Sequence, residues 1–130
     1  MATPRRAREA IWTAQDAANV CARYFVDCPR GKLLVLHLDH ERRLIHLGLE
    51  EPPTAAQLPV RTILTDAIRY GAAGFVVAYC RGSGALEPAE AELAAVSGLA
   101  EAAAGLGLTL HDHLICAAGE WRSLRGLGLL

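Results

Sequence analysis

Two short, almost unbroken apolar runs constrain this chain more than any other feature: Lys32 to Leu38 (KLLVLHL) and Gly74 to Ala78 (GFVVA). Runs of this length, bounded by turn residues and lacking helical spacing, mark strands buried on both faces. Such strands need a covering layer on each side, so the neighbouring segments have to supply it.

The neighbouring segments carry helical patterns. From about Ala10 to Arg23, small and apolar residues recur at Ile11, Ala14, Ala17, Ala18 and Cys21, which predicts an N-terminal helix ended before Pro29. Arg43 to Leu49 alternates and, after the turn at Asp39-His40-Glu41, predicts a second strand beside the first. Glu50-Glu51-Pro52-Pro53-Thr54 breaks that pattern, because each proline removes a backbone donor and restricts the residue before it. Pro59 is placed to begin a helix with Ile63, Leu64, Ala67 and Ile68 on one face, and Gly71 to stop it.

The Gly74 run delivers its C-terminal end to a loop from Tyr79 to Glu87. Pro88 then starts an Ala-rich helix with Glu87, Glu90 and Glu92 near its N-terminus, where the helix dipole favours negative charge, and Gly105 and Gly107 end it. Leu108 to His111 and His113 to Cys116 predict one strand or two short ones, followed by a turn at Ala117-Ala118-Gly119 and a strand through Trp121. The order predicts an α/β domain, a mixed β-sheet flanked by helices. At 130 residues it spans 1–130 as one domain, with a helical extension at about 1–25.

Bulk properties exclude some functions. A hydrophobic content of 52% with 21% charged residues is that of a folded domain. A formal net charge of −1 gives no general pull toward nucleic acid or an anionic membrane, and the basic cluster Arg5, Arg6 and Arg8 reads as a solvated terminus. No apolar run reaches the roughly 18 residues of a membrane span, and no secretory signal is visible, so a soluble, cytoplasmic protein is expected. The four cysteines, Cys21, Cys28, Cys80 and Cys116, lack C-x-x-C spacing and are expected as reduced thiols.

The last 25 residues, LGLTLHDHLICAAGEWRSLRGLGLL, supply a more specific signal through Gly107, Asp112, His113, Leu114, Ile115, Ser123, Arg125, Gly128, Leu129 and Leu130. Together with Leu36-His37-Leu38-Asp39 and Arg43-Leu44-Ile45, they resemble the RadC-like JAB/JAMM (MPN) domain family. Separately, abundant Ala, Gly, Leu and Arg with a single Lys is associated with GC-rich bacterial genomes, so a bacterial source is expected. The resemblance implies a JAB/MPN-like, cytidine-deaminase-like fold.

It also implies a zinc site. The family's motif is similar to a His-x-His pair after the central strand, a Ser eight residues later and an Asp three beyond that, with a Glu from an earlier strand as general base. Neutral imidazoles and one carboxylate leave a fourth zinc position for an activated water. Anchored on Ser83-Gly84, these positions fall on Tyr79, Arg81, Ala89 and Glu92. Glu92 could ligate, but Tyr79 is a phenol with a pKa of about 10. Arg81 has five donors, no acceptor and a permanent charge that repels a divalent cation. The second strand offers His46-Leu47-Gly48-Leu49 where the general base belongs, with Glu50 and Glu51 nearby. The expectation is therefore no catalytic residue, no metal and no zinc cofactor.

Other candidates are weighed against structural roles. His111-Asp112-His113 would place two imidazoles on one strand face, yet Asp112-His113 belongs to the resemblance outside its zinc set, so His113 is expected as a hydrogen-bonded structural residue. Cys80 beside the Arg81 cation is a candidate thiolate without an identified base. Arg81-Gly82-Ser83-Gly84 invites an anion site, but three glutamates stand against it, and an Arg81 to Glu92 salt bridge is the simpler proposal. Trp12 and Trp121 are expected in the core, and Leu127, Leu129 and Leu130 to seal the domain, with partner docking as the alternative.

The expectation is a non-catalytic relative of the JAMM zinc metallopeptidases, acting as a binding or scaffold module. Arg81, Ser83, Glu92 and His113 are its binding candidates, with a protein partner, no membrane, nucleic acid disfavoured, and oligomeric state open. One alternative is a metal-dependent hydrolase with a rearranged set such as Glu92 with His113 or Cys80. The other is a DNA-repair-associated accessory protein. RadC proteins are similar in carrying a helix-hairpin-helix segment for DNA contact, for which 130 residues are expected to leave no room.

Overall fold

The computed structural model describes residues 8–25, 30–82 and 84–130; Arg5, Arg6, Cys28, Pro29 and Ser83 lie outside the described residues. In chain order the elements are α1 (Ala14–Tyr24), β1 (Lys32–Leu38), β2 (Leu44–Glu50), α2 (Val60–Arg69), β3 (Gly74–Cys80), α3 (Glu90–Gly105), β4 (Thr109–Ala117) and β5 (Glu120–Ser123). The strands form one five-stranded sheet in the order β2-β1-β3-β4-β5. Only the β3–β4 pair is parallel, so the sheet is mixed and the α/β class predicted from the sequence is the one formed.

Alternation along the strands builds two cores. Leu33, Val35, Phe75, Val77, Tyr79 and Ile115 point to one face, where Ile63 and Ala67 of α2 and Val96, Leu99 and Ala103 of α3 cover them. Leu34, Leu36, Leu38, Val76, Ala78 and Leu114 point to the other, against Ala17, Ala18, Val20 and Cys21 of α1. This two-sided demand is why β3 is buried at every position. Removing one of these Leu or Phe side chains from water contributes about 1.5–3 kcal/mol.

Local chemistry sets the element ends. Thr13 caps α1: its hydroxyl accepts from Asp16 N at 3.0 Å while the Asp16 carboxylate accepts from Thr13 N at 3.1 Å. The β1–β2 turn forms around Asp39, whose Oδ1 accepts from the amides of Glu41 and Arg43, each at 2.9 Å. Pro59 stands one residue before α2 rather than inside it, and α3 begins at Glu90 instead of Pro88. The two segments predicted after Gly107 are one strand, interrupted by a bulge at His111, which lies between the residues paired with Phe75 and Val76.

Several side-chain expectations are corrected. Trp12 is 62% exposed, with the Arg42 guanidinium 5.3 Å above its ring, so it is a surface residue in a cation–π contact. Leu127 and Leu129 are exposed, and Leu130 alone of the three packs on the larger core. Cys21 and Cys116 are free and buried as expected, and burial pushes their thiols up to about 12 and about 11. Cys80 is disulfide-bonded, which corrects the expectation that it is a reduced thiol and removes it as a candidate thiolate.

Candidate functional site

The site forms where three chain segments meet at the C-terminal end of β3. Antiparallel pairing of β1 with β3 sets Lys32 opposite Cys80, and β2 ends beside them with Glu50 opposite Leu33. Parallel pairing brings the end of β4 to the same level, so the amide of Arg81 donates to Cys116 O at 2.8 Å. Gly82 turns the chain away with φ +82, where a side chain would also come within 3.1 Å of Arg30 Cβ. The segment then reaches the N-terminus of α3.

These elements enclose a cleft of about 710 Å³ lined by Arg30, Glu51, Thr54, Tyr79, Arg81 and Glu92 among others. That volume lies in the ~300–1,000 Å³ range of small-molecule and cofactor sites. Tyr79, Arg81, Ala89 and Glu92, picked out in sequence by motif position, all line it.

Arg81 and Glu92 form an ion pair at its floor through Arg81 Nη2 and Glu92 Oε1. The Glu92 side chain is 3% exposed and that of Arg81 21%. Glu92 Oε1 also accepts from Ala89 N at 3.3 Å, so the same carboxylate caps α3, while Arg81 Nη1 donates to Ala85 O at 3.1 Å. One guanidinium thus ties the end of β3, the following loop and the start of α3 together. Glu92 Oε2 and Arg81 Nε are buried without a hydrogen-bond partner among the described residues.

His113 lies behind this pair on β4, opposite Val77 and fully buried. Its expected role as a hydrogen-bonded ring is corrected: neither ring nitrogen has a partner among the described residues. Burial, and then the charge of Arg81, push its pKa down to about 4, so the ring is neutral at pH 7. The hydrogen-bonding role belongs to Asp112, whose Oδ1 accepts from His113 N at 2.7 Å and Arg125 N at 3.1 Å and whose Oδ2 accepts from Ser123 Oγ. The closing segment is held to β4 by that carboxylate.

The bulge separates His111 from His113. His111 Nδ1 pairs with Arg42 Nη1 at 3.0 Å, and burial, with Arg42 and Arg125, pushes its pKa down to about 4. Among the described residues no three His, Cys, Asp or Glu side chains converge as a metal site. The donor set at the motif positions does not fit zinc either: Glu92 is the one good ligand there, and its Oε1 faces a guanidinium.

Glu51 lines the cleft and pairs with Lys32, which locates the nearer of the two glutamates sought as general base. Arg30 and Thr54 are cleft residues that sequence inspection did not single out. Their signal was weak, because the Pro52-Pro53 stretch reads only as a strand breaker and not as a wall.

Residues 11–129 match the RadC-like JAB domain family. The chain is 30% identical over 125 residues to a UPF0758 protein of Rhodobacter capsulatus, covering 95% of the chain and 58% of that protein. To a UPF0758 protein of Cyanothece sp. it is 38% identical over 96 residues, covering 72% of the chain and 40% of the relative. To one of Bordetella petrii it is 32% identical over 135 residues, covering 97% and 60%. The chain therefore spans about half the length of these relatives. Among the described residues no helix is long and apolar enough to cross a membrane.

Proposed function

The chain belongs to the RadC-like JAB domain family, and from that premise we propose that its cleft is a binding site and not a zinc-hydrolase centre, holding an extended segment of a protein partner. The observation that carries this proposal is the Arg81–Glu92 ion pair, which puts a permanent cation where the family pattern requires a metal. A guanidinium donates hydrogen bonds and polarises nothing as a Lewis acid does, so it suits holding a carbonyl rather than activating water.

The cleft walls support a peptide-like ligand. Arg30, Arg81 and Thr54 offer donors and Glu51 offers an acceptor, while Pro52, Pro53, Ala55, Ala85 and Ala89 give apolar surface between them. Neither sign of charge dominates the lining, which disfavours a polyanion such as nucleic acid. A DNA-repair-associated role is not needed for this binding function.

A hydrolase with a rearranged metal set is favoured by one observation, the Glu92 Oε2 and His113 nitrogens behind the cleft floor, which have no partner among the described residues. Using them would set a divalent cation beside the Arg81 guanidinium, whose permanent charge repels it. The test of the binding function is capture of partners from lysate by the wild type and by Thr54→Arg, which fills the cleft from its exposed rim without touching the ion pair. Loss of specific partners in the variant is expected, and identical recovery would rule out the cleft as their site.

A further inference from the structure

We propose that the buried His37, paired across strands with His46, is an acid-sensitive latch. While uncharged it holds α2 and the 51–59 wall of the cleft closed, and its protonation lets that wall open. The inference rests on how the wall is anchored and not on what the cleft binds.

His37 on β1 and His46 on β2 are directly opposite in the register and share the face covered by α2. Their ring centroids are 5.6 Å apart. Those two rings are tilted by 32°, and His46 in turn stacks on Tyr70, the residue that closes α2, at 3.8 Å and an interplanar angle of 11°. One turn earlier in α2, an Asp66 carboxylate oxygen lies 3.9 Å from where a side chain on Gly48 would begin. Gly48 is two residues from His46 and faces the same way, so a larger residue there would crowd Asp66. The last turn of α2 is thus joined to the β1–β2 hairpin through these rings.

The segment 51–59 connects the end of β2 to the start of α2. Glu51, Pro52, Pro53, Thr54 and Ala55 from it form one side of the cleft. Both ends of that wall are therefore attached to elements that the ring stack holds together. Val96, Leu99 and Ala103 of α3 pack on the same face without taking part in these ring contacts.

His37 is 0% exposed, and neither ring nitrogen has a hydrogen-bond partner among the described residues. A neutral ring fits this position by packing, with Phe75 of β3 at 6.0 Å on its other side. A protonated ring would carry a charge and two N–H donors with no acceptor. The groups around it are His46 from β2, Asp66 from α2 and Phe75 from β3, with Tyr70 stacked on His46; of these Asp66 alone offers a negative charge in opposition. Burial outweighs it, with His46 adding to the effect, and the pKa of His37 is pushed down to about 4 from 6.5.

The sign follows from linkage. In the closed form the ring resists protonation until about pH 4, whereas an opened, hydrated ring takes up a proton below about 6.5, so acid favours the open form. Between pH 7 and pH 5 these two values raise the opening equilibrium by roughly 20-fold.

Hydrogen exchange followed by mass spectrometry on the full chain, corrected for the intrinsic effect of pH, reads this opening directly. In wild type, protection in residues 51–70 is expected to fall roughly 20-fold from pH 7 to pH 5 on account of His37. In His37→Phe that part of the fall disappears from 51–70 while the pH response of α3, which follows His113, stays as in wild type; His37→Leu gives the same readout if the larger ring disturbs folding at pH 7. Variants that keep the full pH response in 51–70, or that lose it equally in α3, would each overturn the latch. So would a wild-type segment 51–70 whose protection does not change with pH, which is readable even if neither variant folds.

Discussion

Replacing Arg81 with Met removes the guanidinium while keeping much of the stem that packs over the cleft floor. Glu92 would then keep a carboxylate in a site where its side chain is 3% exposed, with the Ala89 amide as its remaining donor. Removing one partner of a fully buried pair costs about 3–5 kcal/mol, because the other charge is left uncompensated. Arg81 retains 21% exposure, so screening by water in the cleft sets the expected cost near the lower end, at about 3 kcal/mol.

Urea unfolding at pH 7 measures it: with a slope of about 1.5 kcal/mol/M for a domain of this size, the midpoint falls by roughly 2 M. Arg81→Met combined with Glu92→Leu should recover most of the loss, since an apolar pair of similar volume needs no desolvation of charge. The cycle formed by wild type, the two single variants and the double variant then yields a coupling energy above ~1 kcal/mol. Single-variant losses below ~0.5 kcal/mol, or losses that simply add in the double variant, would show that the pair is not the tie between β3 and α3.

Other consequences are open to the same unfolding measurements. His113 is held neutral with its pKa pushed down to about 4, so its contribution is present above about 6.5 and lost as pH falls toward 4. Stability should therefore drop by about 2 kcal/mol between pH 7 and pH 5 on account of this ring, and His113→Leu should flatten the slope by that amount. Asp112→Ala strands the amides of His113 and Arg125 and the Ser123 hydroxyl, at an expected cost of about 3 kcal/mol; a loss under ~1 kcal/mol would remove the carboxylate as anchor of the closing segment. Thr13→Ala breaks the reciprocal cap of α1 and should cost about 1 kcal/mol, whereas Thr13→Ser should leave stability almost unchanged.

The fold was legible because its signals are periodic. Buried runs at Lys32–Leu38 and Gly74–Cys80, with helices of one apolar face between them, leave few alternatives to a covered sheet. The cleft was legible in part, since motif spacing located Tyr79, Arg81, Ala89 and Glu92, and opposite charge anticipated the Arg81–Glu92 pair. What escaped depends on contacts between distant segments. Nothing near Glu51 or Thr54 in the chain indicates that the 51–59 segment folds over the end of β3. His37 lay within an apolar run, where its neighbours gave no sign that His46 and Tyr70 would extend a stack from it. Core packing is the default for an aromatic such as Trp12, but a residue just ahead of a helix cap can face solvent when a cation such as Arg42 covers its ring. The bulge at His111 likewise follows from register with β3, which a single strand's sequence does not encode.

The central claim is that Arg81 stands in place of the metal, and zinc binding tests it most directly. Calorimetric titration of zinc into chelator-treated wild type should show no stoichiometric cleft binding, while Tyr79→His combined with Arg81→His, which supplies two imidazoles beside Glu92, should gain one zinc per chain. One zinc bound per wild-type chain, and lost in Glu92→Gln, would contradict the account.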